Sequence, residues 1–354
     1  MKKILIAVMI VLFIFGMKHT VVKEFKHDGE PQPQGADVQS DAQTDAPAEN
    51  TSVSITACGD FTLATDVQAP TDGSFVSELK AQNNDYDYFL RNVKDYFADD
   101  DLTIINFEGT LSENGSRADK QFAFRGKPEY VKIVSEASIE AANVANNHTL
   151  DYGTQAFEDT KKTLSDNGIA VFGGTDYSIV EKNGIKIGLI GTNALNAAAT
   201  EKFEPTFEAL KSENPDMIIA VFHWGVEKQY TPTEQQISLA HRAVDLGADL
   251  VLGHHPHVLQ GIEQYNGKTI CYSLGNFCFG GNRNSSDKDT MIFKKTFNFS
   301  GGQIVDDDTY EVIPCSISSV KSRNNYQPTP LSGDERSRVE EKINSLNQKI
   351  KNAS

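Results

Sequence analysis

Acidic, amide and imidazole side chains follow several apolar segments of this sequence, at the point where each segment ends. The clusters lie at Gly59-Asp60 and in residues 106–108, 145–148, 223–225 and 253–257. In open α/β sheets, binding sites gather outside the carboxyl ends of the strands. If the apolar segments are strands, their ends converge on one crevice, and these side chains form a single candidate site.

The donor types in these clusters suit a divalent transition metal. Carboxylate, amide oxygen and imidazole together favour Mn, Fe or Zn, and the candidate ligands are Asp60, Glu108, Asn147, His223, His255 and His257. The alternation of His255 and His257 in a segment predicted to be extended puts both imidazoles on one side, and Pro256 restricts the backbone between them. Such a site can activate water and neutralise charge on a phosphoryl group, with the adjacent His148 as a candidate general acid.

Each residue also has an ordinary structural explanation when it is taken alone. An aspartate after a strand commonly caps a turn, Glu108 is compatible with a solvated loop, Asn147 is a natural turn residue, and His223 is compatible with a satisfied buried histidine. Residues 254–257 are more specific, because three histidines in four residues rarely serve packing. Five of the eight histidines lie in the clusters, which favours a metal site over coincidence.

The elements that must position these residues alternate between strand and helix patterns from Val53 onward. Strands are predicted at Ser54–Cys58, Leu102–Phe107, Met217–Phe222 and Asp249–Leu252. Helices are predicted at 85–98, from Pro128, at 154–167 and after a capping box at 231–234. Asn183-Gly184 and Asn266-Gly267 are typical of tight hairpin turns. Together these patterns predict an α/β fold that covers residues 53–320 as a single domain.

The N-terminus has the pattern of a membrane-targeting segment. Lys2 and Lys3 precede an apolar run from Ile4 to Met17, which is typical of a signal peptide or an uncleaved signal-anchor over residues 1–22. Lysines ahead of the run favour a cytoplasmic N-terminus and an exported body. We therefore expect a cell-membrane protein with a single N-terminal anchor and an extracytoplasmic domain.

Two further segments flank the domain. Residues 23–52 are rich in Pro, Gln, Asp and Ala and have no aromatic residue after Phe25, so they are predicted to be a disordered linker that tethers the domain. Residues 321–354 form a C-terminal tail, in which Val339, Ile343, Leu346 and Ile350 share one face of a short amphipathic helix. Packing of that face against the domain is favoured over a partner-binding role.

Composition narrows the classes of partner. The 354-residue chain has a net charge of −16 and a pI near 4.9, which argues against a sequence-independent nucleic-acid binder. An anionic substrate stays compatible, because bound metal ions supply local positive charge. The four cysteines are too few for a disulfide scaffold, and core packing is favoured over pairing for Cys58 and Cys271, which lie in apolar runs.

Several motifs also give the chain a family resemblance. The stretches LTIINFEGTL (102–111), VANNHTLDYG (144–153), VFHWGVE (221–227), GHHPHVLQ (253–260) and YSLGNFCF (272–279) resemble the CapA capsule-synthesis family. The resemblance spans residues 55–314, and the motifs are highly specific when taken together. It implies a role in poly-γ-glutamate capsule biosynthesis. It also implies a fold similar to calcineurin-like metallophosphoesterases, a four-layer α/β sandwich.

The resemblance also implies roles for individual residues. Asp60 would bind a first divalent metal, Glu108 would bridge two ions, Asn147 and His223 would bind the second, and His255 and His257 would complete the set. His148 would lie beside the substrate.

Two positions depart from the phosphoesterase pattern that the resemblance implies. Thr62 stands where a histidine of the first motif is expected, and Glu108 stands where an aspartate is usual. His254 either compensates for the missing histidine or supports the ligands from behind, and it is also a candidate contact for the substrate. Arg125, in the stretch FAFRGKP (122–128), is a candidate contact for an anionic substrate, with an ordinary surface cation as the alternative.

Two functions follow from these observations. The first is a metal-dependent hydrolase or transferase that acts on a phosphorylated or γ-glutamyl substrate at the outer face of the membrane. The second is a non-catalytic accessory subunit that binds or guides an anionic polymer for export or anchoring. Both imply the membrane and capsule-synthesis membrane proteins as partners.

Overall fold

The computed structural model describes residues 50–305 and 308–351. The predicted membrane segment at 1–22 lies outside these residues, as does the predicted linker apart from its last three positions. The first strand begins at Thr51, so regular structure starts two residues before Val53. Within the described ranges, no helix is long and apolar enough to cross a membrane.

Strands and helices alternate through the first two thirds of the described chain. The strands are β1 (Thr51–Thr62), β2 (Leu102–Phe107), β3 (Thr110–Leu111), β4 (Arg125–Gly126), β5 (Ala141–Asn143), β6 (Ala170–Phe172), β7 (Ser178–Lys182), β8 (Ile185–Asn193), β9 (Met217–His223), β10 (Leu250–His254), β11 (Ile262–Tyr265), β12 (Lys268–Cys271), β13 (Asn276–Phe279), β14 (Asp289–Ser300), β15 (Gln303–Ile304), β16 (Glu311–Ser316) and β17 (Thr329–Pro330). The α-helices are α1 (Phe75–Ala81), α2 (Lys94–Ala98), α3 (Lys132–Ser135), α4 (Gly153–Asp166), α5 (Ala197–Thr200), α6 (Phe203–Ser212), α7 (Glu234–Leu246) and α8 (Gly333–Lys351).

Two sheets carry most of the strands. The large sheet has nine strands, in the order β17-β16-β14-β1-β2-β5-β6, with β13 also paired to β1 and β15 to β14. The small sheet has six strands, in the order β11-β12-β10-β9-β8-β7. Strands β1, β2, β5 and β6 run parallel, as do β8, β9, β10 and β12. The carboxyl ends of each parallel set therefore lie on one edge of its sheet.

The two sheets pack face to face with helices on both outer sides. Ile55 and Ile104 of the large sheet meet Leu189 and Val221 of the small sheet in one buried apolar cluster. A second cluster covers the outer side of the large sheet, and a third packs α6 and α7 on the outer side of the small sheet. This arrangement is a four-layer α/β sandwich, and the α/β fold predicted from the sequence is confirmed.

The C-terminal helix α8 packs back on the domain through the face that the sequence indicates. Val339, Ile343 and Leu346 join the apolar cluster between the sheets, and Ile350 is buried against the small-sheet cluster. The Asn347 side chain accepts a hydrogen bond of 2.7 Å from the backbone of the first residue of β11. The helix is therefore an integral part of the sandwich.

The two predicted hairpin turns are confirmed. Asn183 and Gly184 both have positive φ between the antiparallel strands β7 and β8, and Asn266 and Gly267 do the same between β11 and β12. Positive φ at both central residues is the type I′ geometry that Asn-Gly favours. These turns add an antiparallel strand to each edge of the small sheet.

The predicted helix at 85–98 is wrong in its middle. The structure has a 3-10 turn at Tyr86–Tyr88 and resumes a helix only at α2. Gln327 Nε2 donates to the Tyr88 carbonyl at 2.6 Å, and a continuous helix would use that carbonyl for its own i→i+4 bond. Helix α7 also starts differently from the prediction, because its capping box joins Thr233 to Gln236 and Pro232 lies outside the helix.

The four cysteines are all buried with free thiols. Burial raises the pKa of the Cys278 thiol, and a buried thiol of raised pKa is a poor nucleophile and metal ligand. The cysteines therefore act as small core residues, which agrees with the favoured interpretation of Cys58 and Cys271.

A glycine sits directly before the first candidate ligand because another backbone comes too close for a side chain. A Cβ on Gly59 would lie 2.1 Å from the Gly275 carbonyl oxygen, and the Asp60 amide donates to that same oxygen at 2.9 Å. This approach lets β13 pair with the end of β1 around Asp60. The backbone contact thus sets the position of the Asp60 carboxylate.

We expect Gly59→Ala to destabilise the protein by at least about 1–3 kcal/mol, the usual cost of inserting a methyl group into packed structure. Gly188→Ala is the milder comparison, because the nearest atoms to its Cβ would belong to the Leu210 side chain, at 3.0–3.2 Å, and not to the backbone. The measurement is the free energy of unfolding in urea. Equal stability of the Gly59→Ala variant and the unsubstituted protein would contradict the close approach.

Candidate metal centre

The ends of strands from both sheets bring the predicted ligands together. Asp60 lies near the end of β1, Glu108 follows β2, and Asn147 follows β5 in the large sheet. His223 ends β9, and residues 255–257 follow β10 in the small sheet. The centre therefore lies where the carboxyl-end edges of the two sheets meet, as the strand-end argument predicts.

The Asp60 carboxylate is fully buried and engaged on both oxygens. Oδ1 accepts from Asn106 Nδ2 at 2.8 Å and lies 3.1 Å from His254 Nδ1. Oδ2 lies 3.0 Å from His257 Nδ1 and accepts from the His255 amide at 3.3 Å. Asn106 and His254 thus hold Oδ1, while Oδ2 faces His255 and His257.

These contacts fix the charge state of the pair formed by Asp60 and His257. Burial alone would raise the pKa of Asp60, but hydrogen bonds from His254 and His257 hold that pKa well below its usual range. Burial alone would lower the pKa of His257, but the hydrogen bond to Asp60 and the charge of Glu108 raise it to about 9. The contact between the two side chains therefore favours a carboxylate beside an imidazolium, and a cation that binds through His257 competes with the imidazolium proton.

Glu108 is fully buried and only partly satisfied. Its Oε1 accepts a long hydrogen bond from Asn106 Nδ2, 3.3 Å, and lies 3.8 Å from His223 Nδ1. Its Oε2 has no hydrogen-bond partner within the described part of the chain, and the nearest basic group is His148 Nε2 at 3.9 Å. Burial and then the charge of Asp60 raise the pKa of Glu108 well above its usual range.

The second half of the centre consists of neutral donors. His223 Nε2 lies 2.8 Å from Asn147 Oδ1, and the His223 and His255 rings are 4.7 Å apart. Burial lowers the pKa of His223 well below its usual value, and burial with the charge of His257 lowers the pKa of His255 to about 4. His255 Nδ1 is buried without a hydrogen-bond partner among the described residues. Neutral imidazoles are the form that binds metals.

The segment from His255 to His257 is a turn, so the prediction of an extended segment is wrong. Strand β10 ends at His254, and His255 and His257 have φ of 94° and 56°. Positive φ is costly for residues other than glycine and concentrates at functional sites. The turn lets the His255 amide reach Asp60, and it still leaves the two imidazole rings 5.6 Å apart.

His148 is oriented by a carboxylate on the next turn of the chain. Its Nδ1 lies 2.7 Å from Asp151 Oδ2, and Lys120 Nζ donates to Asp151 Oδ1 at 2.7 Å. The carboxylate fixes the proton on Nδ1, so Nε2 faces Glu108 and the centre. Burial lowers the pKa of His148. This geometry suits proton transfer through Nε2.

The two residues predicted to meet substrate lie in different surroundings. His254 is buried and its Nδ1 holds Asp60 Oδ1, which matches the supporting role rather than exposure to a substrate. The Arg125 guanidinium lies 4.1 Å over the Tyr152 ring and donates to the carbonyls of Asn114 and Gly115. The role of Arg125 in binding an anion stays a prediction.

A cavity of about 540 Å³ opens beside the centre. His148, His257, Asn276 and Glu227 line the side nearest the candidate ligands. The rest of the wall mixes polar, small and acidic residues such as Asp66 and Asp287 with aromatic and basic ones, which are Phe122, Phe124, Tyr230, Phe279, Lys228 and Arg283. The cavity is large enough for a small anionic group with an apolar portion.

Four residues that sequence reasoning did not assign also belong to the site. The side-chain amide of Asn106 contacts Asp60 Oδ1, Glu108 Oε1 and His223 Nδ1. Asn276 Oδ1 lies 2.9 Å from His257 Nδ1, Asp151 orients His148, and Glu227 lines the cavity. Each falls inside one of the five motif stretches, so the signal was proximity in sequence to an assigned residue.

Comparison with known proteins agrees with these motifs. A family profile described as "Bacterial capsule synthesis protein PGA_cap" matches residues 54–281. The chain is 31% identical over 297 residues to a capsule biosynthesis protein CapA of Bacillus anthracis, over 76% of this chain and 68% of the relative. It is 33% identical over 231 residues to a PGA biosynthesis protein CapA of Bacillus subtilis (strain 168), over 58% of this chain and 60% of the relative.

The structural comparison is more distant. A 5'-nucleotidase from Candida albicans SC5314 aligns with a TM-score of 0.43 and 13% sequence identity, over 84% of this chain and 58% of that protein. A likeness at this level carries no argument about function.

We expect Asn106→Ala to weaken metal binding by about 10–100-fold, the usual effect of removing a residue that orients metal ligands. Asn92→Ala is the control, because Asn92 is exposed and its side chain donates a hydrogen bond to Thr329, away from the candidate ligands. The measurement is calorimetric titration of metal-free protein with Mn²⁺. Unchanged affinity of the Asn106→Ala variant would show that Asn106 does not position the ligands.

Proposed function

Because the chain belongs to the family of bacterial capsule synthesis proteins described as PGA_cap, we propose that it takes part in the biosynthesis of a poly-γ-glutamate-type capsule polymer through a metal-dependent, phosphoesterase-like site. The relatives in Bacillus carry capsule or PGA biosynthesis in their names. The single observation that supports a metal-dependent site most strongly is the buried Glu108 carboxylate with an unpartnered oxygen amid histidines.

The donor set fits two divalent ions of Mn, Fe or Zn. Asp60, Glu108 and His257 each offer an atom within 4.8 Å of the others, which makes a first position. Glu108 with Asn147, His223 and His255 makes the second, where neutral imidazoles and an amide oxygen converge. Orphaned buried atoms on Glu108 and His255 are the groups that a bound cation would satisfy. When bound, the ions would supply Lewis-acid charge and an activated water at neutral pH.

The remaining residues bind, orient and transfer protons. His148 exchanges a proton with the leaving group through Nε2, because Asp151 occupies Nδ1. Lys228 and Arg283 on the cavity wall attract the anionic substrate, which is a phosphorylated or γ-glutamyl compound. The aromatic walls formed by Phe124 and Phe279 exclude water from the reacting groups.

The proposed location of the domain rests on the N-terminal sequence pattern. The two lysines ahead of the apolar run support a single membrane anchor with the domain on the extracytoplasmic side. Placement there would bring the site to capsule-synthesis membrane proteins and to the polymer itself.

A second candidate is a non-catalytic accessory subunit that binds the anionic polymer. The observation that favours it is Thr62, which removes a histidine from the first metal position. Loss of a ligand there would leave binding without turnover.

Removal of the metal should abolish the activity. We expect His255→Ala and Asn147→Ala to lose bound metal, phosphoesterase turnover of p-nitrophenyl phosphate, and polymer production in cells. His241→Ala is the matched control, because His241 stacks on Tyr265 and contacts Glu263 away from the centre. The measurements are metal content, hydrolysis with and without a chelator, and polymer yield.

The outcomes separate the two candidates. Bound metal without turnover in the unsubstituted protein, together with loss of polymer in both variants, would support the accessory role. A purified protein that holds no transition metal, with both variants supporting normal polymer export, would exclude the enzymatic function.

Protease treatment of intact cells tests the location. We expect cleavage in residues 23–52, because a polar, proline-rich tether outside the membrane is accessible. Cleavage only after the membrane is made permeable would contradict the extracytoplasmic placement.

A further inference from the structure

We propose that Glu227 is a ligand of the metal centre and binds a cation together with His255 and His257. This inference rests on the proposed metal-dependent function and assigns one more residue to its site. Glu227, His255 and His257 each offer a ligand atom, and these atoms lie within 4.8 Å of one another. None of the motif assignments gives Glu227 a role at the metal.

Glu227 adds a donor on the side of the centre that faces the cavity. Within the described residues, Asp60, Glu108 and His257 make one group of possible ligands, and Glu227, His255 and His257 make another, so His257 is common to both. His254 does not take this place through Nδ1, because that atom holds Asp60 Oδ1 at 3.1 Å. Glu227 approaches His257 from the cavity side, which the buried ligands leave open.

Backbone contacts hold Glu227 beside the two histidines. The Lys228 amide donates to the Pro256 carbonyl at 2.7 Å, so the residue after Glu227 is fastened between His255 and His257. The next residue is held as well, because Gln260 Nε2 donates to the Gln229 carbonyl at 2.8 Å. The position of Glu227 is therefore set by the fold and does not depend on its own side chain.

A buried, unpartnered atom lies within the same group. His255 is 6% exposed, and its Nδ1 has no hydrogen-bond partner among the described residues. Buried polar atoms in native proteins normally have a partner, so an orphan points to a bound group. A cation held by His255 together with Glu227 and His257 would satisfy such a ring nitrogen.

The chemistry of a carboxylate beside two imidazoles suits a divalent transition metal. Imidazole is a good ligand for Zn and Fe, carboxylate suits Mn, and Zn accepts both types. A glutamate ligand also adds one negative charge to the centre, which favours a hard divalent cation over a soft one.

The test compares three single substitutions in the full-length protein after metal removal. Mn²⁺ is titrated by calorimetry, and bound metal is counted by elemental analysis. Glu227→Gln keeps the shape of the side chain and removes its charge. Because Glu227 is exposed at the cavity, we expect this variant to fold normally. Glu181→Gln is the control, because Glu181 is exposed on β7 at the far edge of the small sheet. Thr62→Val tests the buried hydroxyl at the position of the missing histidine.

We expect the unsubstituted protein and the Glu181→Gln variant to bind two Mn²⁺ ions. We expect Glu227→Gln to lose one ion or to bind it at least about tenfold more weakly, with the other ion unchanged. If the Glu227→Gln variant still binds two ions with unchanged affinity, the inference about Glu227 is overturned and the proposed function is not. Loss of an ion only in the Thr62→Val variant would overturn it too and assign the ligand to Thr62. An unsubstituted protein without metal would overturn the proposed function as well.

Discussion

Two fully buried carboxylates, Asp60 and Glu108, impose the constraint on which the rest of the site depends. Removal of a carboxylate from water is expensive unless other groups compensate its charge. Asp60 has this compensation from Asn106, His254 and His257. Glu108 has it only in part, because one of its oxygens has no partner within residues that the structure describes. The site is thus built to receive positive charge beside Glu108.

The layered fold supplies the remaining requirements. Parallel strands from two sheets end at one place, so donors that are far apart in sequence meet without long loops. Close backbone approaches at Gly59 and at Gly253, where a Cβ would lie 2.1 Å from the Gly275 and Tyr272 carbonyl oxygens respectively, hold the strand ends together. In the turn after β10, the backbone has positive φ at His255 and His257. Packing of the sandwich offsets that strain, and the strain positions the ligands.

Much of this arrangement could be predicted from the sequence, because strand-end chemistry is local. Asp60, Glu108, Asn147 and His223 each follow an apolar run that is readable by periodicity, and the sheet then brings them together. The details that depend on contacts between distant residues could not be predicted from the sequence. The helix at 85–98 is interrupted by Gln327, more than 200 residues away. The role of Asn106 depends on three partners from three segments, and Arg125 stacks on Tyr152, which no spacing rule predicts.

The central claim is that these strand ends form a metal centre around Glu108. The most direct measurement is anomalous X-ray diffraction from crystals of the purified protein, collected on both sides of the Mn, Fe and Zn absorption edges. The account predicts two anomalous peaks that share Glu108, one beside Asp60 and His257 and the other beside Asn147 and His223. Crystals that diffract well and show no anomalous peak among these residues, even after soaking with Mn²⁺, would contradict it.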